Sequence, residues 1–116
     1  MTSKGISDLP LRPNERAALE DLKNGLKKTL ADCDLVLFGS RARGEGDAHS
    51  DLDVLILVPG AVDRTLRETI NDISYPIELR RDVVFGKIIR ERKEWSSPLS
   101  RALPIYAAID REGVPL

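Results

Sequence analysis

Hydrophobic residues recur at helical spacing in two stretches of the chain, and each stretch predicts a helix. After Pro13, leucines follow one another at steps of three and four residues: Leu19, Leu22, Leu26 and Leu30. This spacing predicts an amphipathic helix that is capped by Asn14 and ends near Asp32. Helical spacing returns between Val62 and Leu79, where Pro76 predicts a kink or an early stop of the second helix.

Short runs of consecutive apolar residues predict strands between and after these helices. Residues 35–38 and 52–58 form two continuous apolar runs, which are typical of strands at the centre of a sheet that helices cover. Residues 83–89 predict a third strand with a local irregularity at Gly86. A last short helix ends near Glu112, before the stop signals Gly113 and Pro115. The pattern therefore predicts an α/β (α+β) fold, with a small mixed β-sheet and helices packed against it.

The length of 116 residues is that of one domain. Residues 1–12 combine mixed polarity with Gly5 and Pro10, which predicts a flexible N-terminal arm before a single domain at 13–116. No apolar run approaches the ~20 residues that cross a bilayer, and the N-terminus lacks the apolar core of a secretion signal. We therefore expect a cytoplasmic protein that does not bind membranes.

The charges of the chain nearly cancel, with 18 basic residues against 19 acidic ones and a net charge of −1. This balance gives no general attraction to nucleic acid, so an anion-binding site must be local. The basic residues between positions 80 and 93 alternate with acidic ones, which is typical of a solvated face. Nucleic acid is therefore not expected as a partner.

The segment between the first two predicted strands contains residues suited to phosphate binding. Gly39 and Ser40 directly follow a strand, where their backbone N–H groups and the Ser40 hydroxyl can bind an anion. Arg41 and Arg43 add positive charge, and the guanidinium fork suits phosphate. At least one of these arginines is expected to be a solvated charge or a bracing partner of Glu45 or Asp47.

Two carboxylates follow the phosphate-binding segment. Asp51 and Asp53 lie two residues apart at the start of a strand, so both side chains point to the same face. Paired carboxylates repel each other unless a cation lies between them, and Mg²⁺ commonly bridges carboxylates and substrate phosphates. A phosphate site that faces such a pair is the arrangement for nucleotidyl transfer with two metal ions. His49 could act as a base in the same segment, but an exposed loop histidine is the favoured interpretation.

These residues resemble a known signature. Gly39-Ser40, Arg41, Arg43-Gly44, Ser50-Asp51 and Asp53 are similar to the GS-x-x-RG…SD-x-D pattern of the DNA polymerase beta nucleotidyltransferase superfamily. The best match is the minimal nucleotidyltransferase branch, which consists of small prokaryotic domains.

The resemblance implies a site and an activity. Gly39, Ser40, Arg41 and Arg43 would bind the nucleotide, and Asp51 and Asp53 would be catalytic and hold Mg²⁺. A third catalytic and metal-binding carboxylate is expected from the following strand, with Asp82 the first choice and Glu78 the second.

The implied function is a Mg²⁺-dependent nucleotidyltransferase that moves NMP from a nucleoside triphosphate, with ATP as the expected donor, to a hydroxyl acceptor. The resemblance also implies a possible partner, a small helical HEPN-domain protein, as either the acceptor or a toxin. The alternative is therefore a non-catalytic antitoxin that neutralises a HEPN-type toxin by binding alone.

Overall fold

The computed structural model describes residues 5–47 and 49–116. A short 3₁₀ helix at Ile6–Asp8 precedes the regular elements. These are α1 (Pro13–Leu30), β1 (Asp34–Phe38), β2 (Leu52–Val58), α2 (Arg64–Arg81), β3 (Phe85–Glu91), α3 (Arg92–Trp95), α4 (Pro98–Arg101), α5 (Pro104–Glu112) and β4 (Val114–Pro115).

The four strands form one mixed sheet in the order β3-β2-β1-β4. β1 runs antiparallel to both β2 and β4, whereas β2 and β3 are parallel. The two most apolar strands, β1 and β2, occupy the centre of the sheet. The predicted fold class and the central position of these two strands are both confirmed.

The helices cover the two faces of the sheet unequally. The long helices α1 and α2 pack on one face, where the apolar side chains of alternate strand positions form the larger core. The opposite face has a smaller core of Phe38, Leu55, Trp95 and Ile109, to which α3 and α5 contribute. Because side chains alternate along a strand, Asp53 lies on the same face as Leu55, away from α1 and α2.

Two predictions about the ends of the helices are wrong. Arg12, and not Asn14, is the N-cap of α1, because Pro13 takes the first helical position, where its missing N–H costs nothing. The Asn14 side chain instead donates a hydrogen bond to the carbonyl of Arg81, at 2.9 Å. The helix α2 does not stop at Pro76 but continues to Arg81, because Ile70 and Ile77, on either side of the proline, are both buried.

The predicted irregularity at Gly86 is also wrong. Each residue of β3 from Phe85 to Glu91 pairs with one residue of β2, without interruption at the glycine. Near the C-terminus, Val114 and Pro115, where the pattern predicts only stop signals after the last helix, form the edge strand β4 beside β1.

The described part of the predicted arm packs against the domain. Leu9 and Leu11 are buried in the larger core. The guanidinium of Arg16 donates hydrogen bonds to the carbonyls of Ile6, Ser7 and Leu9. Residues 1–4 of that arm lie outside the described residues. Across 5–47 and 49–116, every helix is too short or too polar to span a bilayer.

Candidate functional site

Asp53 is held between two neighbouring strands at the edge of the smaller core. It pairs with Phe38 of β1 on one side and with Gly86 of β3 on the other. Gly39 follows Phe38 directly, so a glycine flanks the Asp53 side chain on each side. A Cβ atom at Gly39 would collide with one carboxylate oxygen of Asp53, and a Cβ atom at Gly86 would collide with the other. The two glycines therefore make the space in which this carboxylate lies.

Gly39 also has a backbone conformation that suits glycine. Its φ angle is +79°, in the left-handed region that other residues rarely adopt. This conformation turns the chain sharply as it leaves β1, directly after the buried Phe38. The turn and the close approach of Asp53 together require glycine at this position.

The environment of Asp53 disfavours its charged form. Burial raises the pKa of its carboxyl group, the nearby Asp51 carboxylate raises it further, and the Arg43 guanidinium partly offsets both. Asp51 is exposed and lies directly before β2, close enough for its charge to act on Asp53. A divalent cation would relieve the repulsion within this pair, so the two carboxylates fit a magnesium ion.

The third predicted carboxylate is not brought to this pair. Asp82 is exposed and forms the C-cap of α2, with a φ angle of +56°. Glu78, the second choice, accepts a hydrogen bond from the Phe85 N–H at 3.2 Å, at the start of β3. Within 5–47 and 49–116, no three Asp, Glu, His or Cys side chains converge on a possible metal position.

The loop after β1 forms a helical turn with two free backbone donors. The carbonyl of Gly39 accepts from Ala42 and Arg43, and the carbonyl of Ser40 accepts from Glu45, at 2.8 to 3.2 Å. In the described part of the chain, the N–H groups of Ser40 and Arg41 donate a hydrogen bond to no protein acceptor. These two donors follow the Gly39 turn, so they remain available to an anion bound there.

The side chain of Arg41 is not available for the predicted contact with the nucleotide. Its side chain is buried, and the guanidinium donates to both carboxylate oxygens of Glu15, at 2.9 Å from Nε and 2.6 Å from Nη2. Nη1 donates to the carbonyl of Glu45 at 2.8 Å. Arg41 is thus a bracing residue, although its main partner is Glu15 and not the acidic residues of its own loop.

Arg43 lies close enough to the carboxylate pair to lower the pKa of Asp53. It forms ion pairs with Glu112 at 2.5 Å and with Glu45 at 3.4 Å, while 43% of its side chain stays exposed. The arginine is therefore the cation of this loop that a phosphate can reach. Glu112, at the end of α5, orients it.

An open cleft of about 330 Å³ adjoins the loop on its other side. It is lined by the N-terminal end of α1, by Val83 and Val84, and by His49, Ser50 and Asp82. His49 is exposed, as expected, and its backbone N–H donates to the Asp47 side chain at 2.9 Å. Asp82 thus belongs to the walls of this cleft.

Sequence reasoning missed three residues of the site. Glu15 lies in the first helix, where it resembles any surface acid. Gly86 belongs to the site because it pairs with Asp53 on the neighbouring strand, and this pairing cannot be read from the sequence. Glu112 is distant in sequence from Arg43 and meets it only because α5 returns to the loop. For Gly86, the signal was present as a glycine inside a strand, which often marks a close approach of another group.

Comparison with known proteins supports one family. The family model described as "Nucleotidyltransferase domain" matches residues 19–104. A curated relative from Methanocaldococcus jannaschii, named "Putative protein adenylyltransferase", is 38% identical over 58 residues. That match covers 50% of this chain and 59% of the relative, so the chain spans little more than half of the relative's length.

A solved structure has the same fold. It is a crystal structure of a mutant of the toxin-antitoxin MntA-HpeT, with a TM-score of 0.56 and 18% sequence identity. The likeness covers 91% of this chain and 72% of that one. The mixed sheet, the glycine-flanked Asp53 and the family match over most of the length agree with one another. The chain belongs to the nucleotidyltransferase domain family.

Proposed function

We propose that this protein is a magnesium-dependent nucleotidyltransferase that transfers AMP from ATP to a hydroxyl group of a partner protein. The observation that carries the proposal is the Asp53 carboxylate, half-buried between Gly39 and Gly86 and next to Asp51. Burying an acid beside a second acid raises its pKa and destabilises the folded protein, unless a cation compensates. Perturbed carboxylates of this kind are typical of functional sites.

In this proposal, Asp51 and Asp53 hold the cation, and the loop after β1 binds the triphosphate. The N–H groups of Ser40 and Arg41 and the Ser40 hydroxyl donate to phosphate oxygens, and Arg43 exchanges part of its pairing with Glu112 for them. Bound magnesium supplies charge neutralisation at the phosphates and a lower pKa for the attacking hydroxyl. The described residues fit one ion, while the two-metal arrangement stays a prediction.

The proposed reaction breaks one phosphoanhydride bond and forms one phosphoester bond. The acceptor hydroxyl oxygen attacks the α-phosphorus of ATP, the hydroxyl proton passes to solvent, and the bond between the α-phosphorus and its bridging oxygen breaks. Pyrophosphate leaves, and AMP stays on the acceptor. The protein contributes mainly position and charge, as in other phosphoryl-group transfers.

The choice of ATP and of a protein acceptor is supported by the name of the curated relative, a protein adenylyltransferase. The structural neighbour is a toxin-antitoxin assembly, which supports a toxin as the partner. Neither relative determines the acceptor here, since one match covers only part of the chain and the other shows the fold alone.

A second candidate function is neutralisation of such a toxin by binding, without catalysis. The observation that favours it is the number of carboxylates at the site, because no third carboxylate joins Asp51 and Asp53 among the described residues. A binding module does not need a complete set of metal ligands.

Incubation of the full chain with Mg²⁺, ATP and the protein encoded beside its gene distinguishes the two candidates. The transferase predicts that intact-mass spectrometry finds one AMP unit added to that neighbour. Asp51→Ala abolishes the addition, and Asp72→Asn, which removes an exposed acid of α2, does not. Neutralisation of the neighbour without any adduct, unchanged in Asp51→Ala, would support the binding module.

A further inference from the structure

A buried ion pair connects the proposed nucleotide-binding loop to the first helix. Glu15 of α1 is 4% exposed and Arg41 of the loop is 6% exposed. Two hydrogen bonds join them, from Nε to Oε2 at 2.9 Å and from Nη2 to Oε1 at 2.6 Å. Such a bidentate arrangement fixes the orientation of both side chains as well as their distance.

The same two side chains hold other parts of the backbone. Arg41 donates to the carbonyls of Glu45 and Gly46, at 2.8 and 3.4 Å, and to that of Pro10 at 3.4 Å. Glu15 accepts from the N–H of Arg12 at 2.8 Å. The pair therefore ties the beginning of the loop to its end, and ties both to the start of α1.

Stability alone is a poor reason for this arrangement. Withdrawing two charges from water is costly, and apolar residues of similar volume often stabilise a fold equally well. Burial by itself raises the pKa of Glu15, but the hydrogen bonds from Arg41 and from the Arg12 N–H outweigh it, so that the pKa lies below its ordinary value. Glu15 is thus ionised at neutral pH, and its two hydrogen bonds from Arg41 fix the loop relative to α1.

The consequence for the site lies in the backbone of Arg41 and its neighbour Ser40. Both N–H groups make no hydrogen bond within the described structure. The side chain of Arg41 thus fixes the same residue whose N–H would donate to the triphosphate in the proposed function. Backbone N–H groups bind an anion well only when neighbouring side chains hold that part of the backbone in place.

We propose that Glu15 and Arg41 are positioning residues that hold the loop in its triphosphate-binding conformation. This inference rests on the proposed function, since it needs a nucleotide in the loop. It assigns Arg41 a role through its backbone, in place of direct contact with phosphate through its side chain.

The test compares nucleotide affinity with stability in matched variants. Glu15→Gln removes the charge but keeps the shape, and Arg41→Lys keeps the charge but removes the bidentate fork. Asp21→Asn is the control, because Asp21 also joins α1 to another element, through ion pairs with Arg80 and Arg81 at 3.1 and 2.8 Å. Binding of Mg²⁺–ATP by calorimetry and thermal unfolding without nucleotide are measured for each folded variant.

We expect Glu15→Gln and Arg41→Lys each to weaken Mg²⁺–ATP binding by about tenfold, as substitutions in the supporting layer of a site commonly do. Asp21→Asn is expected to bind within about twofold of the wild type. The double variant should lose no more affinity for Mg²⁺–ATP than the single variant that binds it less tightly, since both substitutions break the same interaction. If Glu15→Gln does not fold, Glu15→Asp replaces it, because it shortens the same side chain. Its affinity for Mg²⁺–ATP is then compared with that of the wild type and of Asp21→Asn, with the same expected loss.

The possible failures are distinguishable. Wild-type affinity in folded Glu15→Gln and Arg41→Lys overturns the positioning role and leaves the proposed function in place. An equal loss in Asp21→Asn overturns it as well, because the effect would then follow general stability. If the wild type takes up no Mg²⁺–ATP, the proposed function fails, and this inference fails with it.

Discussion

Asp53 carries an ionisable carboxylate at a position where the fold removes water and supplies a second negative charge. Burial raises the pKa of this group, and Asp51 raises it further. Because the folded state then binds the proton more tightly than the unfolded state, ionisation of Asp53 opposes folding. The cost is absent at pH values below the ordinary pKa of an aspartate and complete above the raised pKa of the folded protein.

Asp53→Asn should therefore stabilise the protein at neutral pH in the absence of divalent cations. We expect the free energy of unfolding to rise by on the order of 1 kcal/mol, since the amide fits the same space without a charge. The gain should disappear at a pH below the ordinary pKa of an aspartate, where Asp53 is protonated in both the folded and the unfolded wild type. Denaturant unfolding at acidic and neutral pH, with chelator present, measures it. A variant less stable than the wild type at neutral pH would contradict this electrostatic account.

Gly86→Ala should damage the site without changing any charge. A Cβ atom at this position would collide with a carboxylate oxygen of Asp53, so that carboxylate must move. We expect Mg²⁺–ATP binding to weaken by about tenfold, as for other displaced ligand groups. The matched control is Gly60→Ala, because a Cβ atom at Gly60 meets nothing within 4 Å. Calorimetry measures the affinity of both variants for Mg²⁺–ATP. Equal affinities would contradict the account, because they would show that binding does not need the space that Gly86 leaves for Asp53.

Single residues show where sequence reasoning reaches its limit. Gly39 and Asp53 could be assigned to one site because they lie at the two ends of a short loop. The same reasoning predicted that Arg41 binds the nucleotide. In the sequence, an arginine that contacts a phosphate cannot be told from one that contacts a buried acid. Only the position of Glu15 beside it, 26 residues earlier in the chain, shows which occurs.

At the scale of elements, close packing of α1 against α2 explains a glycine that helix propensity disfavours. Gly25 lies in the middle of α1, where glycine costs about 1 kcal/mol relative to alanine. A Cβ atom there would lie 2.8 Å from Cγ2 of Ile73 on α2, which is too close for an ordinary contact. The glycine permits the two helices to approach each other.

Gly25→Ala should consequently fail to stabilise the protein. Overpacking typically costs about 1 to 3 kcal/mol, which equals or exceeds the gain in helix propensity. We expect a loss of up to about 2 kcal/mol by denaturant unfolding. Asn24→Ala, at an exposed position of the same helix, should instead stabilise by a few tenths of a kcal/mol. Equal stabilisation by both substitutions would mean that the helices can separate at no cost.

The elements themselves were largely predictable, and the exceptions have physical reasons. β2 was predicted with its actual bounds because its residues are apolar except for Asp53 and the run ends at Pro59-Gly60. Pro76 was expected to disturb α2, but the apolar stripe continues on both sides of it, and packing on the sheet outweighs the lost hydrogen bond. β4 has only two residues and exists through its pairing with β1, so no local pattern could reveal it.

For the molecule as a whole, the site results from bringing several elements to one end of the sheet. The end of β1, the starts of β2 and β3, the N-terminus of α1 and the end of α5 all meet there. The order and type of the elements predicted a small mixed sheet covered by helices, and the resemblance of the GS…D-x-D residues to a known signature implied a nucleotidyltransferase-like fold. The register between parallel strands and the long-range ion pairs were not, because they depend on packing of the complete chain.

The most direct test of the account is a calorimetric titration of the full chain with a non-hydrolysable ATP analogue, with and without Mg²⁺. The account predicts binding that requires Mg²⁺, that is lost in Asp53→Asn although this variant is the more stable protein, and that persists in Asp72→Asn. Binding that is equally strong without Mg²⁺, or that survives in Asp53→Asn, would contradict it.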